Sequence, residues 1–403
     1  MKSNLDLVND CDQLPLDGLE GSYSYKAGPG SQHFVTQQIS DKVARFSGTN
    51  TTAHAQSSME ESSSAYVTDE LKILNSILYS SLSTMLILNS FPYPEKDPQA
   101  HSTLTSNLYT LVWNHHGTPI PIGYLTEAVF TELAKVPIRI KGEMEVNRQQ
   151  RTVSVFQQPS EAERTAAAAA TCAYWREKKT FKVLAGWRDE VYPVYGPDNE
   201  ILWSVERSAS VLFGIASFGV HMTGYVKVPD VPYGMKIWVP RRAATKSSYP
   251  QMLDNTVAGG IATGEDRFEA VVREAMEEAS LPEELVRKNV KAQPPITYLY
   301  IRGSNAGGET GLFQPECEWI YDLELPADVT PKPNDDEVEE FYLWTVEEVK
   351  ESLAKGEFKP NCAMTLLDFF IRHGILTPEN EENYEEIKSR LHRKLEFPGP
   401  HHG

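Results

Sequence analysis

Residues Gly259–Leu281 read GGIATGEDRFEAVVREAMEEASL, a glycine pair followed by a short segment loaded with glutamate. At about 100° per residue, Phe268, Val271, Val272, Ala275, Met276 and Ala279 share one face of a helix, so the segment is expected to pack on a sheet. Glu274, Glu277 and Glu278 stand at i, i+3 and i+4, which gathers their carboxylates on the opposite face, and Ala270 leaves room beside them one turn earlier. Gly259 and Gly260 end an apolar strand and let backbone groups approach a metal or a phosphate. Gly264 precedes Glu265 where the loop turns into the helix.

Like charges at this spacing cost about 0.2–0.5 kcal/mol per pair in an isolated helix, and no lysine or arginine stands among the three glutamates. The positive charge must come from elsewhere. Clustered hard oxygens suit Mg²⁺, or Mn²⁺ in its place, and Mg²⁺ is typically held by one or two carboxylates plus substrate phosphates. Three carboxylates therefore point to more than one ion, bridged by a diphosphate. The plain alternative is an acidic, solvated helix, which is common in so acidic a chain.

The whole stretch fits the pattern G-x5-E-x7-R-E-U-x-E-E-x-G-U, with U a bulky aliphatic, at Gly259, Glu265, Arg273, Glu274, Glu277, Glu278 and Leu281. It resembles the Nudix box, the signature of hydrolases that split a diphosphate linked to another moiety. Ala275 at the first aliphatic site and Ser280 at the last glycine depart from the pattern. Ser280 with Glu283 is expected to form a capping box for the next helix, with Pro282 in its first turn. The resemblance implies a Nudix-type α/β/α sandwich with a mixed sheet, metal held by Glu274, Glu277 and Glu278, and Arg273 orienting those glutamates. Glu265 is then expected to pair with Arg273 or to hold the loop. The implied reaction is attack of a metal-activated water on one phosphorus, which needs a base. That base comes from the box or from a later loop, where NDDEVEEF offers Glu337, Glu339 and Glu340; the plain reading of that loop is a charged edge before a strand.

Around this stretch the pattern mixes strands and helices. KIWVPRR, NTVAGG, ITYLYIRG and EWIYDLEL read as strands, and a further strand lies near EVEEFYLW. TVEEVKESLAKG reads as a helix with a Thr345/Glu348 capping box, followed by the helices CAMTLLDFFIRHG and PENEENYEEIKSRLHRKL. The class is α/β (α+β), with strands before and after a central helix and no doubly wound repeat. Residues 91–229 read as a smaller α/β accessory domain preceding the Nudix domain of residues 230–403. In it NLYTLVW is a strand, LTEAVFTELAKV a helix, SEAERTAAAAATCAYWREKK a helix with a Ser160/Glu163 capping box, and WSVERSASVLFGIASFGVHM a buried helix. No chemistry is read from this part, and His221 is taken as a core histidine. Residues 1–11 begin the accessory domain, and the serine-rich residues 12–90 read as a disordered insertion with one amphipathic helix near its end.

The bulk properties bound the function. A net charge of −18 repels a phosphate backbone, so nucleic acid is not an expected partner, while a small anionic substrate is admissible where cations gather locally. One such place runs from Val231 to Leu253, which holds no acid but holds Lys236, Arg241, Arg242 and Lys246. Arg241, Arg242 and Lys246, with Gly259 and Gly260, are therefore the candidate phosphate contacts; Trp238, Tyr249 and Trp319 are candidates for stacking on a heterocycle, or simply core. Four scattered cysteines show no metal or disulfide spacing, and no segment is apolar enough to span a bilayer or to serve as a signal peptide. A cytoplasmic protein is expected, and its oligomeric state is open.

A longer resemblance narrows the substrate. KIWVPRRAATKSSYPQMLDNTVAGGI, GGETGLFQPE, PKPNDDEVEEFYLWTVEEV and KPNCAMTLLDFFIRHGIL closely resemble a fungal and plant Nudix group related to the domain fused to thiamin pyrophosphokinase. That resemblance implies hydrolysis of thiamin diphosphate, preferentially its oxidised, toxic analogues, to the monophosphate. Residues 12–90 depart from it. The rival readings are a pyrophosphatase for NADH, ADP-ribose or a nucleotide sugar, a non-catalytic metabolite-binding module, and an isopentenyl diphosphate isomerase. The isomerase needs a cysteine and glutamate pair that is not placed around the box.

Overall fold

The computed structural model describes residues 91–402; the readings of residues 1–90 fall outside the described residues. From Phe91 onward the chain forms helix α1 (Pro98–Thr105), strands β1 (Tyr109–His115) and β2 (Thr118–Leu125), helix α2 (Glu127–Lys135), strands β3 (Met144–Asn147) and β4 (Thr152–Val155), and helix α3 (Glu161–Glu177). The four strands make one sheet in the order β2-β1-β4-β3. α3 starts on the Ser160/Glu163 capping box and buries Ala167, Ala168, Cys172 and Trp175 in a core shared with Leu111, Val153 and Phe130. A hairpin of β5 (Val191–Tyr195) and β6 (Ile201–Glu206) follows.

The second, larger sheet holds β7 (Ser217–Lys227), β8 (Met235–Arg242), β9 (Val257–Gly260), β10 (Lys291–Ala292), β11 (Ile296–Ile301), β12 (Phe313–Glu324) and β13 (Val338–Thr345). β7 lies at its centre, parallel to β12 and antiparallel to β8 and β9, so the sheet is mixed. Helices α4 (Arg267–Ala279) and α5 (Glu283–Asn289) cover one face, where Val271, Val272, Ala275 and Ala279 meet Val220, Met222, Val257 and Leu323. Helices α6 (Val346–Ala354) and α7 (Pro360–Arg372) cover the other, packing Val349, Met364 and Phe369 on Tyr225, Ile237 and Ile320; α8 (Tyr384–Arg390) adds Ile387 to that core. This is the α/β/α sandwich.

Not every expected element forms as read. WSVERSASVLFGIASFGVHM is not one helix: it runs through β6, a few helical turns and the start of β7. β7 is buried on both faces, and such a central strand lacks the alternation that separates strand from helix in sequence. It joins the sheet built otherwise from residues after 230, so the large sheet begins before the expected division at 229/230. Ser280 caps nothing on α5, whose N-cap is Pro282; it ends α4 in the left-handed conformation at φ 53°, the place where glycine costs least. The last expected helix is confined to α8, because Glu381 turns back on Asn383 before it and the chain leaves the helix after Leu391 to lie beside β11.

Candidate functional site

α4 begins on Asp266, whose carboxylate accepts from the amides of Phe268 and Glu269 at 2.8 and 3.2 Å. That start fixes the helix register and turns Glu274 and Glu278 toward the end of β9. Glu265, just before the cap, accepts from the Ala262 amide at 3.2 Å and from Arg273 at 2.8 and 3.2 Å. The same guanidinium donates to Glu274 at 2.9 Å and to Glu277 at 2.8 Å. One arginine thus ties the loop to two box carboxylates by charge-assisted bonds.

Glu274 lies against Gly259 so closely that a Cβ there would stand 2.0 Å from its Oε1, so the position admits only glycine without rearrangement. Glu278 is 7 % exposed and accepts from the Ala258 amide at 2.9 Å. Burial raises the Glu274 carboxyl to about 7 against the lowering pull of Arg273, with Glu277 adding to the rise. Burial, then the charges of Glu274 and Asp254, push Glu278 well above the ordinary carboxylate range. Glu277 is half exposed. Glu278 is buried without an ion pair among the described residues, and Glu274 shares one guanidinium with Glu265 and Glu277, an excess of negative charge that suits a cation.

Glu278 also lines a small cavity of ≈ 10 Å³ with Pro240, Arg242, Asp254, Asn255, Glu337 and Val338. That is room for about one water. Glu337 reaches it from the loop before β13 and is paired with Lys246 and, at 3.4 Å, with Arg188. Arg242 is buried there and commits its donors to Asp254 at 2.6 Å and to the carbonyls of Tyr249 and Ser248 at 3.1 and 3.0 Å. Arg241 is not brought to this place. It lies on the other face of β8, where its guanidinium meets the Tyr342 hydroxyl at 3.0 Å and the Gln251 carbonyl at 2.8 Å. Gly260 faces away from α4, toward Tyr192. Glu339 accepts from Gln251 at 2.6 Å and Glu340 from Tyr342, away from the box. Trp238 is core and Trp319 lies under the Arg267 guanidinium at 4.0 Å, while Tyr249 stands near Tyr300. A wider hollow of ≈ 320 Å³ over the four-stranded sheet, lined by Asn114, Glu145 and Asn147 among others, brings one carboxylate and no cation together and lies away from this chemistry.

Sequence reasoning missed what the accessory region contributes. The β5–β6 hairpin grips the loop after β9: the Thr263 amide donates to the Val191 carbonyl at 2.8 Å, and its hydroxyl bonds Ser204 at 3.0 Å. With it come Arg188, Tyr192 and Arg207, the last paired to Glu190 at 2.8 Å and close enough to act electrostatically on Glu274. No local pattern announces these contacts, which arise only when the hairpin docks. His221 does sit in the core, but in polar company: Asn255 at 2.7 Å, Glu318 at 3.6 Å and Asn361 at 3.4 Å. Among the described residues no helix is long and apolar enough to cross a membrane.

Comparison with known proteins agrees with this geometry. The family described as NUDIX domain matches residues 230–363, and one described as "Domain of unknown function (DUF4743)" matches residues 121–217. An uncharacterized protein of Saccharomyces cerevisiae is 43 % identical over 219 residues, which are 53 % of this chain and 64 % of that one. Nudix hydrolase 20, chloroplastic, of Arabidopsis thaliana is 37 % identical over 215 residues, 53 % of this chain and 54 % of that one. Nudix hydrolase 24, chloroplastic, of the same plant is 33 % identical over 211 residues, 52 % and 54 %. The match thus spans between 54 and 64 % of these curated relatives. Residues 230–363 are thus similar to the NUDIX domain family.

Proposed function

We propose that this chain, with a Nudix domain over residues 230–363, is a diphosphohydrolase that works with a divalent cation. The observation that carries the reading is the burial of Glu274 and Glu278 against β9, with Gly259 stripped of a side chain to admit the first. The donor set fits the ion: clustered carboxylate oxygens, with one guanidinium shared among Glu265, Glu274 and Glu277 and none paired to Glu278, are what Mg²⁺ or Mn²⁺ takes. Glu274, Glu277 and Glu278 would hold it. Such an ion, when bound, acidifies a water and offsets the charge of a diphosphate.

The chain's own residues prepare the rest. Arg273 keeps Glu274 and Glu277 in register with the loop through Glu265. The Ala258 amide fixes one oxygen of Glu278. Glu278 and Glu337 face one water-sized cavity, and Glu337 can take the proton of a water held there. Burial would raise Glu337, but Lys246 and Arg188 beside it outweigh that and hold it ionised at neutral pH. Arg242 lines the cavity toward which a phosphate would come, Lys246 stands beside it on Glu337, and Gly259 gives backbone access on the side of the box glutamates.

For the substrate we take thiamin diphosphate and, above all, its oxidised analogues, released as the monophosphate; the support is the sequence resemblance along residues 236–261, 307–316, 331–349 and 359–376. Product analysis against thiamin diphosphate, its oxo derivatives, ADP-ribose and NADH tests this. Monophosphate from the thiamin compounds at the highest kcat/KM is expected. Faster turnover of a nucleotide keeps the chemistry and overturns the substrate.

A further inference from the structure

The positive charge that a diphosphate needs is scarce among the Nudix-domain residues of the site. Arg273 divides its guanidinium among Glu265, Glu274 and Glu277. Arg242 is committed to Asp254 and two backbone carbonyls, and Lys246 to Glu337. Two further guanidiniums stand beside these acids, and both come from residues 121–217, the stretch matched by the family of unknown function. Arg188 meets Glu337 at 3.4 Å. Arg207 pairs with Glu190 at 2.8 Å and lies 5.4 Å from the centre of the Tyr192 ring. The Tyr192 hydroxyl lies against Gly260, next to the Gly259 that Glu274 covers. A guanidinium has five N–H donors, yet among the described residues each of these two makes a single side-chain hydrogen bond.

Their placement is fixed by backbone contacts. The Arg188 amide donates to the Glu206 carboxylate at 2.9 Å and the Arg207 amide to the Glu190 carbonyl at 2.8 Å, which ties the two ends of the β5–β6 hairpin to each other. Thr263 then holds that hairpin to the loop after β9. The charged side chains stay open to solvent: Arg188 is 40 % exposed and Arg207 36 %, beside Glu337 at 36 % and Glu277 at 52 %. We propose that the accessory region is part of the active site, and that Arg188 and Arg207 bind the phosphates of the substrate while the box glutamates hold the cation. The planar fork of arginine matches phosphate oxygens, and without such local cations a chain of net charge −18 repels a diphosphate. One fork enters beside Glu337 and the other beside the strand end that carries Glu274, so the two bracket the carboxylates.

The proposal rests on the diphosphohydrolase reading for why a diphosphate comes here, and binding without turnover separates the two. The full chain is titrated calorimetrically with imidodiphosphate, a diphosphate analogue bridged by nitrogen, in the presence of Mg²⁺. The same titration is run on Arg188→Gln, Arg207→Gln, Arg207→Lys and Glu190→Gln, each with its melt. Arg207→Gln should weaken binding about tenfold or more and Arg188→Gln in the same direction, since bonds between charged groups are lost. Arg207→Lys keeps the charge without the fork and should fall between parent and Arg207→Gln. Glu190→Gln is the control for a merely structural arginine: it breaks the same ion pair but leaves the guanidinium, and should bind as the parent does or more tightly. Equal losses in Glu190→Gln and Arg207→Gln, parent-like affinity in both glutamine variants of the arginines, or no binding by the parent overturns the proposal. Binding that depends on the arginines, in a chain that cleaves no diphosphate, would instead overturn the hydrolase reading alone.

Discussion

Replacing Gly259 by alanine puts the account of the acidic face at direct risk. Gly259 is not among the residues of positive φ, so alanine meets no backbone strain there. Its Cβ, however, would stand 2.0 Å from Glu274 Oε1, 2.1 Å from Cδ and 2.5 Å from Cγ, where real Cβ contacts stay beyond 3.0 Å. The carboxylate must withdraw by about 1 Å or change rotamer, and a displacement of that size at a reacting centre costs about 100-fold in rate. The bond from Arg273 at 2.9 Å goes with it. Overpacking of this kind costs about 1–3 kcal/mol, which a sandwich of this size is expected to survive. The assay is phosphate release with Mg²⁺ beside a thermal melt. Gly259→Ala should stay folded and lose about 100-fold in kcat. Adding Glu274→Asp, shorter by one methylene, should restore part of it. A Gly259→Ala chain that is fully active, or one whose loss of rate simply follows unfolding, would refute the reasoning.

Other consequences follow from single contacts. Ser280→Gly relieves a left-handed serine at the end of α4 and should raise stability by about 0.5–1 kcal/mol, read as a melting temperature higher by about 1–4 °C with activity kept. Arg273→Lys keeps the charge but not the fork that reaches Glu265, Glu274 and Glu277, so kcat should fall about tenfold or more while the melt moves little, because the group is half exposed. Burial would raise Asp254, but Arg242, then Lys359, outweigh it and hold the carboxyl below its usual range. A depressed acid stabilises the fold above its unfolded value of about 3.9 and loses that contribution as pH falls through the folded value. Urea midpoints of the parent should therefore drop below about pH 4, and Asp254→Asn should flatten that limb while costing about 3–5 kcal/mol at neutral pH, since Arg242 is left buried without its partner.

Much of the fold was legible because its signals are local. The α4 pattern, the capping boxes at Ser160 and Thr345, and the β-branched and aromatic runs that became β8, β11, β12 and β13 each declare themselves within about a dozen residues. β7 did not, because a strand apolar on both faces has no period to read. The box carboxylates were legible by spacing, and their proximity to Arg273 and Glu265 is a matter of helix geometry. Tyr192 and Arg207 carried no such signal, since they reach the site only through docking of the β5–β6 hairpin onto the loop after β9. The two cations of β8 show the limit of counting charges: adjacent in sequence, they face opposite sides of the sheet, and only Arg242 meets the cavity.

The central claim is that the buried glutamates of α4 make this chain a cation-dependent diphosphohydrolase. The measurement that tests it most directly is product analysis of a diphosphate panel, with and without Mg²⁺, for the parent chain and for Glu278→Gln with its melt checked. The account predicts monophosphate and phosphate from the parent only when the ion is present, and a loss of about 100-fold or more in a folded Glu278→Gln chain. Cleavage that needs no ion, equal rates in the two proteins, or no cleavage of any diphosphate would contradict it.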